Sequence, residues 1–418
     1  MAVPDSELAD RIDGAARAIE THVIAWRRDF HEHPELGNSE TRTAAIVAEH
    51  LISLGFDDVR TGVAHTGVVG LLKGGLPGRV VALRADMDAL PVTEEVDVPF
   101  ASKARTTWNG EHVGVMHACG HDCHTAVLMG VATVLAGLRK QLRGSVKFIF
   151  QPAEEMPPRG QDGGAKMMIQ EGALQDPTPQ AIFGLHVTSR QNVGYLGYRP
   201  GPTMASSDRF SITVHGKQTH GAAPWLGVDP IVTSAQVVLG LQTVVSRGVD
   251  IAREPAVVTV GMIKGGVREN IIPDSVEMRG TIRTFDEGMR DDVHERVTTL
   301  AEAVSRGSRA GCTVCIEKNY PVTVNDPALT AAMLPTLQRV AGADKVQFIP
   351  KVTGSEDFSY FQQLVPGLFF FVGATRPDVD PAKAPPNHSP RFHVDERALL
   401  LGVRSLAHLA CDFLEARA

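Results

Sequence analysis

Apolar residues recur every three or four positions from Leu8 through Ile12, Ala16, Ile19, Val23, Trp26 and Phe30, a spacing that predicts one amphipathic helix opening the chain. A second helix is predicted to run from an N-cap at Ser39 to a stop at Gly55. Short β-branched runs then alternate with helical ones: strands at 68–72 and 80–84, a helix at 124–142, a strand at 146–150, a helix at 164–170 and a strand at 181–187. That alternation predicts a three-layer α/β domain.

The pattern changes near residue 200, after the Gly- and Pro-rich stretch 197–202. A strand at 210–214, a helix at 230–246, strands at 256–263 and 276–285, a helix at 287–305 and a strand at 313–317 follow. The order β-α-β-β-α-β is that of a split βαβ, ferredoxin-like unit of roughly 110 residues. α/β character then resumes with a helix from Pro327, a buried strand at 368–372 and a final helix at 396–415. The expectation is a discontinuous α/β domain, 1–202 plus 319–418, interrupted by an inserted ferredoxin-like domain at 203–318. The stretch 377–390 holds five prolines and reads as a long ordered loop.

Composition narrows the function. A chain of 418 residues suits two or three domains, which excludes a small disulfide scaffold or an isolated binding module. With 41 Lys and Arg against 48 Asp and Glu, the net charge of -7 offers no basic field, so nucleic acid is excluded as a partner. Residues 1–7 lack a signal peptide's basic segment and apolar run, and no stretch reaches about 18 uninterrupted apolar residues. A soluble cytoplasmic protein without a membrane partner is expected. Five cysteines is an odd number, and Cys119 and Cys123 sit among histidines, which suits a reducing compartment and a metal better than disulfides.

The densest polar cluster is Met116-His117-Ala118-Cys119-Gly120-His121-Asp122-Cys123-His124, just ahead of a helix. Sulfur and imidazole at this density are donors for a transition metal, and Gly120 lets the turn bring Cys119 and His121 together. A structural zinc knuckle is the alternative, but the cluster lacks Cys-x-x-Cys spacing, and Cys312 and Cys315, which have it, stand alone. His117 and His124 are ligands or hydrogen-bonded neighbours. At 148–155 an apolar strand ends in Glu154 and Glu155, which divide naturally into a metal ligand and a free proton carrier. His186 ends another apolar strand, and His388 lies in a proline-stiffened loop. Asp86 and Asp88 stand at alternate positions after the strand at 80–84 and could ligate a metal or orient a ligating His. Each has a plain alternative: a solvated Glu pair, a satisfied core His, a solvated turn.

Together these segments resemble the M20 metallopeptidase and amidohydrolase family, in its branch of N-acyl-amino-acid, hippurate and auxin-conjugate hydrolases. The resemblance rests on RADMDALP at 84–91, MHACGHDCH at 116–124, QPAEE at 151–155, GLHV at 184–187, GKQTHGAAP at 216–224, NIIP at 270–273, GSEDF at 354–358 and NHSP at 387–390. It implies a zinc-peptidase-like catalytic domain interrupted by a lid that forms a homodimer or a higher oligomer. It implies two divalent ions (Zn, Mn, Co or Ni) held by Cys119, His121, Glu155, His186 and His388, with Glu154 as unligated general base and Asp88 orienting a ligand. Asp86 stands where many relatives carry a metal-binding His, so it is left out of the ligand set.

The implied reaction is hydrolysis of an amide by a metal-activated water that Glu154 deprotonates, with His220 from the other subunit's lid stabilising the oxyanion. Asn270, Arg283 and Gly354 match substrate-binding positions, and a guanidinium suits a substrate carboxylate. On residue type alone His220 would be a surface histidine and Arg283 a solvated charge. The expected substrate is a small N-acyl amino acid, hippurate-like or an N-acetyl or indole-acyl conjugate. The alternatives are a dipeptidase, a biosynthetic deacetylase, or a non-catalytic protein that binds acyl amino acids.

Overall fold

The computed structural model describes residues 6–108, 110–155, 157–158 and 160–416. Residues 1–5, on which the signal-peptide expectation partly rests, lie outside the described residues. Two compact units divide the chain. The first runs through Gly201 and takes in Asn325–Pro350 and the chain from Tyr360 onward; the second is Pro202–Val324 with Lys351–Ser359.

In the first unit eight strands form one mixed sheet, in the order Asp58–Val63, Gly67–Lys73, Arg143–Gln151, Leu76–Asp86, Ala181–Asn192, Gly367–Thr375, Leu196–Tyr198 and Val346–Phe348. The four strands Arg143–Gln151, Leu76–Asp86, Ala181–Asn192 and Gly367–Thr375 are parallel, so their carboxyl ends emerge on one edge of the sheet. Strands covered on both faces read as unbroken apolar runs, and Gly367–Thr375 is buried at every position. Register sets Asp86 opposite Gln151 and His186 opposite Phe371, which brings distant polar residues to the same edge. The helix His121–Gly137 is apolar almost all round and is covered by Glu20–Glu32, Arg397–Glu415 and the sheet.

The opening periodicity does not make one helix. Its apolar stripe is buried at Ile12, Ala16, Val23 and Phe30, but the backbone turns at Ile19 and gives two helices, Ser6–Ala18 and Glu20–Glu32. The first rests mainly on Arg397–Glu415 and the second on His121–Gly137, so the bend lets one stripe follow two supports. Ser39 does not cap the next helix, Thr41–Ser53, either. The Arg42 and Thr43 N–H groups donate to the two oxygens of the Glu35 carboxylate (2.9 and 2.8 Å), a charge that the helix N-terminus favours. Glu40 takes the N-cap position without capping, its side chain fully buried.

In the second unit the βαββαβ order folds as a four-stranded antiparallel sheet, Ala256–Gly265, Ser275–Thr284, Asp208–His215 and Gly311–Lys318. Helices Pro230–Gly248 and Glu287–Gly307 pack on it around Phe210, Ile212, Val237, Leu241, Met278 and Val297. Asp229 and Asp286 cap these helices, accepting from Ile231 N–H and Met289 N–H (both 2.8 Å). No described helix is long and apolar enough to cross a membrane.

Candidate metal centre

Five segments of the first unit deliver their polar ends to one place. Leu76–Asp86 ends in Asp86 and leads to Asp88; Arg143–Gln151 leads to Glu154 and Glu155; Ala181–Asn192 carries His186. Cys119 and His121 flank Gly120 at the start of His121–Gly137, and His388 comes from the proline-rich loop. Gly120 has φ +97°, and a methyl group there would stand 2.3 Å from Val187 Cγ2, so this tight turn needs glycine.

Cys119 Sγ lies 3.3 Å from both His186 Nε2 and His388 Nε2, and His388 Nε2 lies 2.8 Å from Glu155 Oε1. Donor atoms of Cys119, His121 and His186, of Cys119, Glu155 and His388, and of His121, Glu154 and Glu155 form three groups, each within 4.8 Å. Shared members make these one continuous cluster wide enough for more than one ion.

Hydrogen-bond partners fix the imidazole tautomers. His186 Nδ1 faces the Val187 carbonyl (2.7 Å), which can only accept, so Nδ1 carries the proton and Nε2 offers a lone pair to the cluster. His121 Nδ1–H donates to Asp88 Oδ1 (3.1 Å), and its Nε2 is buried with no hydrogen-bond partner. A buried lone pair aimed at neighbouring donors is what a cation-binding histidine requires. His124 differs: its Nε2 accepts the Val187 N–H (2.9 Å) and its Nδ1–H donates to Asp86 Oδ1 (2.6 Å), leaving nothing for a metal. Asp86 Oδ2 accepts from Arg84 Nη1 (2.7 Å) and lies 3.8 Å from His121 Nε2, and Asp86 also forms a group with His121 and His124 whose donor atoms lie within 4.8 Å.

The field of the cluster is negative. Burial opposes charge on His121, yet Asp86 and Asp88 outweigh it and push its pKa up to about 10. Burial, then Glu155 and Glu154, hold the Cys119 thiol well above its usual range. Burial and then the neighbouring His124 keep His186 neutral. Donating its Nε2–H to the Glu155 carboxylate raises the pKa of His388; burial opposes ionisation of Glu155, but His388 lowers its pKa on balance. This surplus of negative charge attracts a proton when no cation is bound and would be neutralised by divalent ions. One sulfur, three imidazoles and a carboxylate, with an orphaned His121 Nε2, fit transition-metal ions.

The other candidate residues belong to the second unit. His220 pairs with Ile271 in a two-stranded ribbon, and Gly221 N–H donates to the Asn270 carbonyl (2.8 Å), so His220 and Asn270 lie together. The His220 ring is exposed, its Nδ1 accepting from Ala222 N–H (3.0 Å). Arg283 lies on a different strand of that unit, Ser275–Thr284; its Nη1 donates to the Ile282 carbonyl (3.0 Å) and burial lowers its pKa. The Gly354 carbonyl accepts from Ala205 N–H (3.0 Å).

Residues 82–412 match the family described as peptidase family M20/M25/M40. The chain belongs to that family. It is 41% identical to thermostable carboxypeptidase 2 of Saccharolobus solfataricus, over 97% of this chain and 99% of the relative. It is 37% identical to N-acetylcysteine deacetylase of Bacillus subtilis, over 96% of this chain and 99% of the relative. Among solved structures, the YXEP protein of Bacillus subtilis, described as a dinuclear metal binding peptidase from the M20 family, matches with a TM-score of 0.80 and 35% identity, covering 96% of this chain and 100% of that one. As an M20 peptidase, the chain is a hydrolase of carbon–nitrogen bonds.

Several buried groups of this M20 chain escape a reading by residue type. Arg27 Nε and His31 Nδ1 both contact Asp122 Oδ2 (2.8 Å each), and His31 Nε2 contacts Glu94 Oε1 (2.9 Å), a charged layer behind His121. Arg27 and His31 sit on an amphipathic helix, where polar residues read as solvated, and only their burial marks them. His117 stays outside the cluster; both its nitrogens are buried without a hydrogen-bond partner, and burial lowers its pKa to about 4. Glu40 has no sequence signal beyond its place at a helix start.

Proposed function

We propose that this M20 hydrolase cleaves the amide bond of small N-acyl amino acids, using two divalent ions held by Cys119, His121, Glu155, His186 and His388. The observation that carries the reading is the convergence of these donors beside Glu154 at the carboxyl ends of parallel strands. The 37% identity to a protein named as an N-acetylcysteine deacetylase supports an N-acyl amino acid, and the likeness to a dinuclear metal binding peptidase supports two ions. Bound ions would supply Lewis acidity, bringing the pKa of coordinated water to about 7 and polarising a carbonyl.

The chain's own residues divide the remaining work. Glu154 takes the proton of the attacking water and returns it to the departing amine. Asp88 holds His121 in the tautomer that presents Nε2, while the Val187 carbonyl does the same for His186. His220 is assigned to the oxyanion, supplied by the second subunit of a homodimer; Asn270, Arg283 and Gly354 are assigned to the substrate. Dimerisation is supported by the outer face of Pro230–Gly248, uncharged from Pro230 to Ser246, where Ile231, Val232 and Leu239 are 44%, 55% and 72% exposed. The edge strand Ala256–Gly265 adds exposed Val257 and Ile263. Five free cysteines suit a reducing, cytoplasmic setting.

A peptide substrate is the second reading, favoured by the 41% identity to a carboxypeptidase. A panel of N-acetyl, N-benzoyl and indole-acetyl amino acids and dipeptides, assayed with Zn, Mn and Co, separates the two. In the same assays Glu154→Gln should lower kcat by about 10²–10⁴-fold at unchanged metal content. Full activity of that variant removes Glu154 as the proton acceptor.

A further inference from the structure

Three consecutive main-chain N–H groups run through the turn that carries the two glutamates, and carboxylates take all three. Ala153 N–H donates to Glu40 Oε1 (2.9 Å), Glu154 N–H to Asp88 Oδ1 (3.0 Å) and Glu155 N–H to Asp88 Oδ2 (2.9 Å). Successive N–H groups aimed at one side form a concavity that binds anions, and here two fixed side chains fill it. Ala153 has φ +52°, a left-handed conformation that costs an L-residue about 1–2 kcal/mol, so the turn is held rather than chosen.

Glu40 is poorly explained as a stability element. It is 0% exposed, its second oxygen accepts from Thr66 Oγ1–H (2.6 Å), and among the described residues no lysine or arginine forms an ion pair with it. A buried carboxylate without a counter-ion is costly. Burial and the nearby charge of Asp88 push its pKa up to about 7. Such a group is retained most economically where its geometry serves the site.

We propose that Glu40 is a positioning residue for the hydrolysis: by holding the Ala153 N–H it keeps the left-handed turn that presents Glu154 and Glu155 to the metal cluster. The inference rests on the reading of Glu154 as proton acceptor and Glu155 as ligand. A rotation at Ala153 swings both carboxylates, so base placement and metal affinity fall together, while substrate affinity changes little. Misplacement by about 1 Å is enough to cost on the order of 10²-fold in rate.

The test uses Glu40→Ala and Glu40→Gln in the full chain, with metal and without. Glu40→Ala should lower kcat and weaken Zn or Co binding about 10–100-fold each, with KM within about threefold of the parent. In the metal-free protein, amide exchange over 151–155 should accelerate at least about tenfold, while the helix Arg397–Glu415 keeps its protection. Glu40→Gln should recover most of both losses, because its amide oxygen can still accept from Ala153. The proposal is overturned if Glu40→Ala keeps parental kcat and metal affinity, if Glu40→Gln loses as much as Glu40→Ala, or if faster exchange spreads over the whole unit. Should Glu40→Ala fail to fold, Glu40→Asp, one methylene too short to reach Ala153, carries the same expectations. Activity retained by Glu154→Gln would sink the base reading alone; exchange at 151–155 and metal affinity still decide the role of Glu40.

Discussion

Replacing Gly120 by alanine perturbs the site through two separable costs. At φ +97° an L-residue loses about 1–2 kcal/mol. The new methyl would also stand 2.3 Å from Val187 Cγ2, where a packed interior must shift at about 1–3 kcal/mol. Val187 is poorly placed to yield: it is 1% exposed, its N–H is bonded to His124 Nε2 at 2.9 Å, and it directly follows His186. Gly120→Ala should therefore destabilise the metal-free protein by about 2–5 kcal/mol in all and, by displacing His186, weaken metal binding. Denaturant unfolding of the metal-free protein and calorimetric metal titration read the two effects. Val187→Ala in the same background removes Cγ2 and leaves the dihedral cost, so the double variant should be more stable than the sum of the single losses by about 1–3 kcal/mol. Parental stability and metal affinity in Gly120→Ala, or strict additivity in the double variant, would refute Val187 as the reason for glycine here.

Chelation should abolish hydrolysis and lower the melting temperature, since an ion at 1,000 times its Kd stabilises the folded state by about 4 kcal/mol; adding Zn, Mn or Co back should restore both, and a chelated protein of unchanged activity would exclude the ligand set. In the second unit, Asp208 is fully buried and accepts from Arg290 Nε (3.0 Å) and His294 Nε2 (2.9 Å), so Asp208→Asn, which leaves Arg290 with Glu287 (3.0 Å) as its remaining counter-ion, should cost about 1–3 kcal/mol in denaturant unfolding. Burial opposes ionisation of Asp208, but the bonds from His294 and Arg290 lower its pKa on balance. A lowered carboxylate pKa means the unfolded chain binds the proton more tightly, so this stability is present above about pH 4 and is lost as pH falls through the folded value. Stability measured from pH 7 down to 3 should fall less steeply in Asp208→Asn; an unchanged acid slope refutes the linkage.

What the sequence discloses depends on where each side chain finds its partner. Cys119, His121, Glu155, His186 and His388 are donors by type, but residue type alone leaves solvated and core readings open, and the motif resemblance is what joins them as a set; the fold then brings their donor atoms together. Periodicity named the buried stripe of the opening segment, yet it could not show the bend at Ile19, because the bend depends on which two elements lie beneath it. His124 was undecidable from spacing: its Nε2 is taken by a backbone N–H 63 residues away. Glu40 is the extreme case. Its partner is the N–H of Ala153, 113 residues away, and a main-chain donor carries no residue signature at all. Carboxylates that organise backbone are thus the class most easily missed in a single sequence, because nothing at the other end of the bond marks them; they become visible only once the fold shows which amides converge.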